Sequence, residues 1–150
     1  MSYSLDVNIL VHAANTDSPV NAEAVAFLQR CATDPEPLCL TWPTIFGFLR
    51  LVTSASVFAH PRSIKEANEL IEELLDLPQT RVLTQDLDFW RIWSTVAGDT
   101  TPRGKGVPDA HLAALLKQHG VKTLFTNDVD FRRFKFLKVV DPFKHASARP

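Results

Sequence analysis

Five short apolar segments punctuate this chain, and longer stretches of helical periodicity separate them. Strand signals fall at Ser2–Leu5, Pro37–Leu40, Arg81–Thr84, Lys122–Thr126 and Phe136–Val140. Between them the spacing predicts helices over Val7–Ala13, from Ser18-Pro19 to about Cys31, over Thr44–Val57, from Ser63 through Leu75, over Asp86–Ala97 and over Pro108–His119. The Ser63 helix carries Ile64, Ala67, Leu70, Ile71, Leu74 and Leu75 at helical spacing. Gly120 is placed to close the last helix. Alternating strands and helices predict an α/β fold, a three-layer α/β/α sandwich around a mostly parallel sheet. At 150 residues the chain suits one domain. We assign residues 1–145 to it and expect 146–150 to be a frayed tail.

Parallel α/β sheets bind ligands beyond the carboxyl ends of their strands. There the chain places aspartates. Asp6 follows the first strand, with Asn8 two residues on. Thr126, Asn127, Asp128 and Asp130 follow the fourth. Asp109 opens the helix before that strand. Each has an ordinary alternative: Asp6 as a helix cap, Asp109 as a partner of the helix dipole, Asp128 as a turn residue. Together they are costlier, because three like charges in one crevice repel and desolvation worsens the repulsion. A cation or bound protons would relieve it. Oxygen-only donors select a hard ion, Mg²⁺ or Mn²⁺. Such an ion favours phosphodiester hydrolysis.

Other chemistries find less support. The five histidines are scattered, and Cys31 and Cys39 lack zinc spacing. There is no GxSxG elbow, no GxxxxGK[ST] loop and no GxGxxG fingerprint. No apolar run approaches the ~20 residues of a membrane span, and the start of the chain lacks a signal-peptide pattern. With two cysteines and no disulfide framework, a reducing cytoplasm is the expected location. Net charge is −1, yet residues 1–100 carry 6 Lys+Arg against 13 Asp+Glu and residues 101–150 carry 10 against 4. The basic C-terminal part could attract phosphates or an acidic partner.

Three segments, LDVNILVHA, VPDAHLAAL and LFTNDVDF, resemble in order and spacing the PIN-domain ribonucleases, and among them the VapC toxins of toxin–antitoxin pairs. The stretch FGFLRLVT, Phe46 to Thr53, is similar to one subgroup. The resemblance spans about residues 3–143. It implies a PIN-like fold and Mg²⁺- or Mn²⁺-dependent endonucleolytic cleavage of RNA. It also implies Asp6, Asp109 and Asp128 as catalytic metal-binding acids, with Asp130 a further candidate. Asn8 and Thr126 order the site, and Arg50 and Lys105 lie along the substrate. Arg132, Arg133 and Lys135 are other cations that could follow an RNA backbone. The implied partners are an RNA substrate, a small antitoxin protein and a second copy in a homodimer.

One position departs from that pattern. Many such proteins have a glutamate three residues before an arginine like Arg50; here it is Gly47. That is compatible with extra room for RNA or water, with a single bound metal, or with weak or absent activity. Two rival readings follow. One is a domain that binds RNA or antitoxin without cutting. The other is a haloacid-dehalogenase-like phosphatase, disfavoured because the second aspartate it needs is replaced by Asn8. The remaining features read as structure: an acidic solvated face at Glu66, Glu69, Glu72, Glu73 and Asp76, core or interface positions at Trp90 and Trp93, and His12 packed beside the site or in an interface.

Overall fold

A computed structural model describes residues 1–144. The expected tail at 146–150, and residue 145, lie outside the described residues. The elements run β1 (Tyr3–Leu5), α1 (Val7–Ala14), α2 (Asn21–Thr33), β2 (Leu38–Thr41), α3 (Trp42–Val52), α4 (Ile64–Leu75), β3 (Thr80–Leu83), α5 (Phe89–Thr100), α6 (Gly106–Gln118), β4 (Thr123–Phe125), a 3₁₀ turn (Val129–Arg133) and β5 (Lys138–Val140). All five strands pair in parallel, in the order β3-β2-β1-β4-β5.

Parallel strands are buried on both faces, so their residues read as continuous apolar runs. Alternation then assigns each side chain to a layer. Tyr3, Leu5, Leu38, Leu40 and Phe125 enter the core beneath α1 to α4. Cys39, Leu83 and Leu124 enter the opposite core beneath α5, α6 and the 3₁₀ turn. This is the three-layer α/β/α sandwich. On one side Phe27 of α2 meets the Phe125 ring at 4.9 Å, and Tyr3 meets it edge-on at 5.6 Å. On the other side α6 buries Ala110 and the whole run Leu112 to Leu116. Its alanines let α5 and the sheet approach closely. Both cysteines are buried and free. Burial pushes the Cys31 thiol up to about 12, so it is a packing group and not a nucleophile.

Several boundaries shift, each for a local reason. α3 begins at Trp42, two residues before the expected Thr44, because Thr41 Oγ1 accepts from the Thr44 amide and caps it. It stops at Val52 and not Val57, where Thr53 turns its hydroxyl back to Leu49 O at 2.7 Å. Ser18 does not cap α2. Its Oγ is engaged by His12 Nδ1 and the Val20 amide, and the helix starts at Asn21. Asp86 closes a turn by accepting from the Asp88 amide, which moves the start of α5 to Phe89. Ser63 and Glu66 form the reciprocal capping box that opens α4. Gly120 takes φ 68° directly after α6, as a helix-closing glycine does.

Gly47 sits inside α3, where a Cβ would meet only Val7 Cγ2 at an ordinary 3.6 Å. Packing therefore does not require glycine here. Gly47→Ala should raise the free energy of unfolding by about 0.5–1 kcal/mol, the usual helix-interior difference. Urea denaturation checks it; a destabilised variant would show that the helix needs this glycine.

Candidate active site

Strands β1, β2 and β3 wind outward in one direction with their helices on one face. From β3 the chain then crosses to β4, on the other side of β1, by way of α5 and α6 on the opposite face. The winding therefore reverses between β1 and β4, and a crevice opens at their carboxyl ends. Asp6 leaves β1 into it, and Thr126 to Asp128 leave β4.

Asp6 stands in the capping position of α1, but its side chain caps nothing. It is only 5% exposed. Its Oδ2 accepts a hydrogen bond from Thr126 Oγ1 at 2.8 Å. Thr126 Oγ1 in turn accepts from the Asp128 amide at 3.0 Å. One buried hydroxyl thus ties together the first residues beyond the two central strands. The Asp6 carboxyl is pushed up from 3.8 to about 6. Burial is the main cause; the Thr126 hydrogen bond opposes it, and the negative charges of Asp109 and Asp128 add to the rise.

Asp109 lies in the first turn of α6, half-buried. Burial, then Asp128, raise its carboxyl; Arg133 lowers it, and Asp130 raises it again. Arg133 Nη2 stands 3.4 Å from Asp109 Oδ2. Asp128 caps the 3₁₀ turn through the Asp130 amide, at 2.9 Å from Oδ1. Asp130 itself is exposed. Asn8 is half-buried in the first turn of α1, while Arg50 on α3 and Lys105 just before α6 are exposed. Asp6, Asp109 and Asp128 therefore share one electrostatic crevice. Among the described residues, no three such ligating side chains stand close enough to enclose one ion as they are placed. The donor chemistry still fits a hard divalent cation, because Mg²⁺ keeps several waters and commonly takes only one or two carboxylates directly.

Two features of the site had no clear sequence signal. Arg133, read as a cation along the substrate, is an ion-pair partner of Asp109. It reaches there because Gly106 leaves room: a Cβ at that position would lie 3.1 Å from Arg133 Nη1. His12 connects to the same loop. Asn127 Nδ2 donates to His12 Nε2 at 3.3 Å, so Nδ1 carries the proton toward Ser18 Oγ at 2.8 Å. Burial holds this imidazole below its usual value. His12 braces Asn127, the residue before Asp128, and meets the Phe143 ring edge-on at 5.6 Å.

The family model described as PIN domain matches residues 3–137. A relative, Ribonuclease VapC48 of Mycobacterium tuberculosis, is 38% identical over 143 residues, covering 95% of this chain and 99% of that protein. The fold is similar to that of VapBC2 from Rickettsia felis bound to a DNA fragment from its promoter. That likeness has a TM-score of 0.68 and 15% identity, and covers 93% of this chain and 98% of that one. It is also similar to Mycobacterium tuberculosis VapC20, a sarcin–ricin loop cleaving toxin, with a TM-score of 0.64, 16% identity, and 87% and 92% of the two chains covered.

A raised native pKa means that folding favours the protonated form of Asp6. Its ionised form therefore subtracts stability above pH 6, and the penalty fades as pH falls through 6 toward 3.8. In chelator at pH 8, Asp6→Asn should be more stable than the parent by about 2–3 kcal/mol, at ~1.36 kcal/mol per pKa unit. The gap should close below pH 4. Thermal melts across this range test it; a gap independent of pH would remove the buried-charge explanation.

Proposed function

This chain belongs to the PIN-domain family, and on that premise we propose that it is an endoribonuclease, the toxin of a toxin–antitoxin pair, that cuts RNA with the help of Mg²⁺ or Mn²⁺. The observation that carries the reading is Asp6. It is a buried carboxylate pressed by two neighbouring acids at the reversal point of the sheet. Folding tolerates such a cost where a cation or substrate compensates it.

Asp6, Asp109 and Asp128 would hold the metal, with Asp130 at the rim. When bound, a divalent cation polarises the phosphoryl group and helps to generate the attacking hydroxide. The protein's own groups set the conditions. Thr126 fixes the Asp6 carboxylate through Oδ2. The Asp128 amide fixes the Thr126 hydroxyl, so carboxylate and loop keep one geometry. Arg133 neutralises part of the charge on Asp109 and limits repulsion of an incoming phosphate. Arg50 on α3 and Lys105 just before α6 are exposed and would attract the RNA backbone. Gly47 puts no side chain between α3 and Val7, which suits a crevice that works with the three aspartates alone.

The partners follow from the same reading. VapBC structures contain toxin with antitoxin, and an antitoxin is the proposed partner of this chain. Its seat is a cavity of about 380 Å³ between α1, α2 and α4, whose lining includes Leu10, Val25, Leu28, Phe48, Leu70 and Leu74. None of the aspartates lines it, so partner and substrate use different surfaces. Two copies forming a homodimer, and a cytoplasmic location, complete the proposal. Among the described residues no helix is long and apolar enough to cross a membrane.

Purified protein given divalent cation should produce defined new RNA ends, and chelator should stop it. Asp6→Asn and Asp109→Ala should abolish the ends. Thr126→Val should cut about 10–100-fold more slowly, the range for losing the partner that orients a metal ligand. RNA retained without new ends would favour the non-cutting domain, and wild-type cleavage by Asp6→Asn would refute the metal assignment. Val25, 36% exposed at the cavity, provides a separate check. Val25→Glu should lose co-purification with the antitoxin while cleavage persists.

A further inference from the structure

Helix α3 leaves the sheet at the carboxylate edge. Tyr3 is level with Leu38 and Ser4 with Cys39; continuing that register sets Thr41 beside Asp6, with adjacent strands about 4.8 Å apart. Trp42 follows at once. Further along α3, Gly47 backs onto Val7, the residue after Asp6. The inner side of the helix is accounted for, because Ile45, Phe48 and Val52 are buried. Its outer side carries three residues at i, i+4 and i+8, which share a helix face. Trp42 is 44% exposed, Phe46 is 62% exposed, and their ring centroids are 6.2 Å apart. Arg50 is exposed one turn on and forms no ion pair among the described residues.

Two large rings left in water side by side invite a partner. The next turn indicates which kind. An aromatic, aromatic, cation series matches a single nucleic-acid strand, whose bases stack on rings and whose phosphates pair with arginine. Arg132, which lines one hollow with Asp128, and Lys105, which precedes the helix turn that carries Asp109, are both exposed cations as well. Trp90 lacks this setting: the neighbouring Arg91 lies 3.7 Å from Asp88 and is already paired.

We propose that Trp42 and Phe46 form a base-stacking platform for the single-stranded RNA that runs into the carboxylate crevice, with Arg50 on the phosphate beyond. The platform rests on the nuclease reading of the same site. It predicts that the enzyme prefers unpaired RNA, because a base inside a duplex cannot lie on these rings.

Binding is measured in the Asp6→Asn protein, which keeps the RNA intact, by fluorescence anisotropy of a short labelled single-stranded RNA. Trp42→Leu and Phe46→Leu should each weaken binding about tenfold, within the range for losing one stacked base. Trp42→Phe should retain most of the affinity, since a ring is kept. Trp90→Leu should bind as the parent does. Arg50→Gln should lower the salt slope by about one. Thermal melts establish that each variant is folded. Equal binding by Trp42→Leu and the parent overturns the platform, as does equal loss in Trp42→Phe and Trp42→Leu. Sedimentation separates a third outcome: if Trp42→Leu turns a dimer into monomers without changing RNA affinity, the face joins two copies and the proposal fails. Cleavage by the wild type with no Trp42 effect sinks the platform alone. Binding through Trp42 by a wild-type chain that cuts nothing sinks the nuclease alone.

Discussion

A buried hydrogen bond from Thr126 Oγ1 to Asp6 Oδ2 links the first residues beyond the two strands between which the sheet reverses its winding. The crevice depends on it. Without this donor, the Asp6 carboxylate would keep only the weaker help of the Val7 backbone amide against its lost hydration. Hydrogen bonds to charged groups contribute about 1.5–3 kcal/mol, comparable with the penalty implied by a carboxyl raised to about 6. Thr126 therefore lessens the cost without removing it. The remaining unfavourable charge is one that a bound cation would offset.

The neighbouring groups divide the electrostatic problem. Asp109 has Arg133 beside it, partly exposed, in a pair whose worth is reduced by solvent. Asp128 is tied to the turn that follows β4. Asp6 alone is both deeply buried and without a positive partner among the described residues. That asymmetry singles it out as the residue whose charge is most sensitive to what enters the crevice. Arg50, Lys105 and Arg132 are exposed, and Arg132 lines the same small hollow as Asp128. On the proposed reading, these cations would draw a polyanion toward a metal held by the acids.

The strand-end rule made Asp6 and Asp128 legible before any coordinates, because an apolar run ending in a carboxylate marks its own position. Asp109 was a candidate from its place at the start of the helix before β4, but a loop precedes that helix, so no strand end fixed its position as it did for the other two. Most helices could be read from their periodicity, and the Ser63 capping box from four residues. The misplaced ends share one cause. Thr41, Thr53, Ser18 and Asp86 each commit a side-chain oxygen to a group two to six residues away, and apolar periodicity does not say which nearby group each will take. The Asp109–Arg133 pair and the His12–Asn127 bond bridge 24 and 115 residues of sequence, so no local pattern could announce them.

The sequence by itself determined the α/β class, the parallel sheet and the identities of the acids, because apolar periodicity and chemical type are properties of short segments. Tertiary structure decided what those acids experience. It chose the carboxylate that is buried, the arginine that pairs with Asp109, and the aromatic rings that remain in water on α3. Those outcomes depend on distance and on the loss of solvent, and both are created only when remote segments pack against one another.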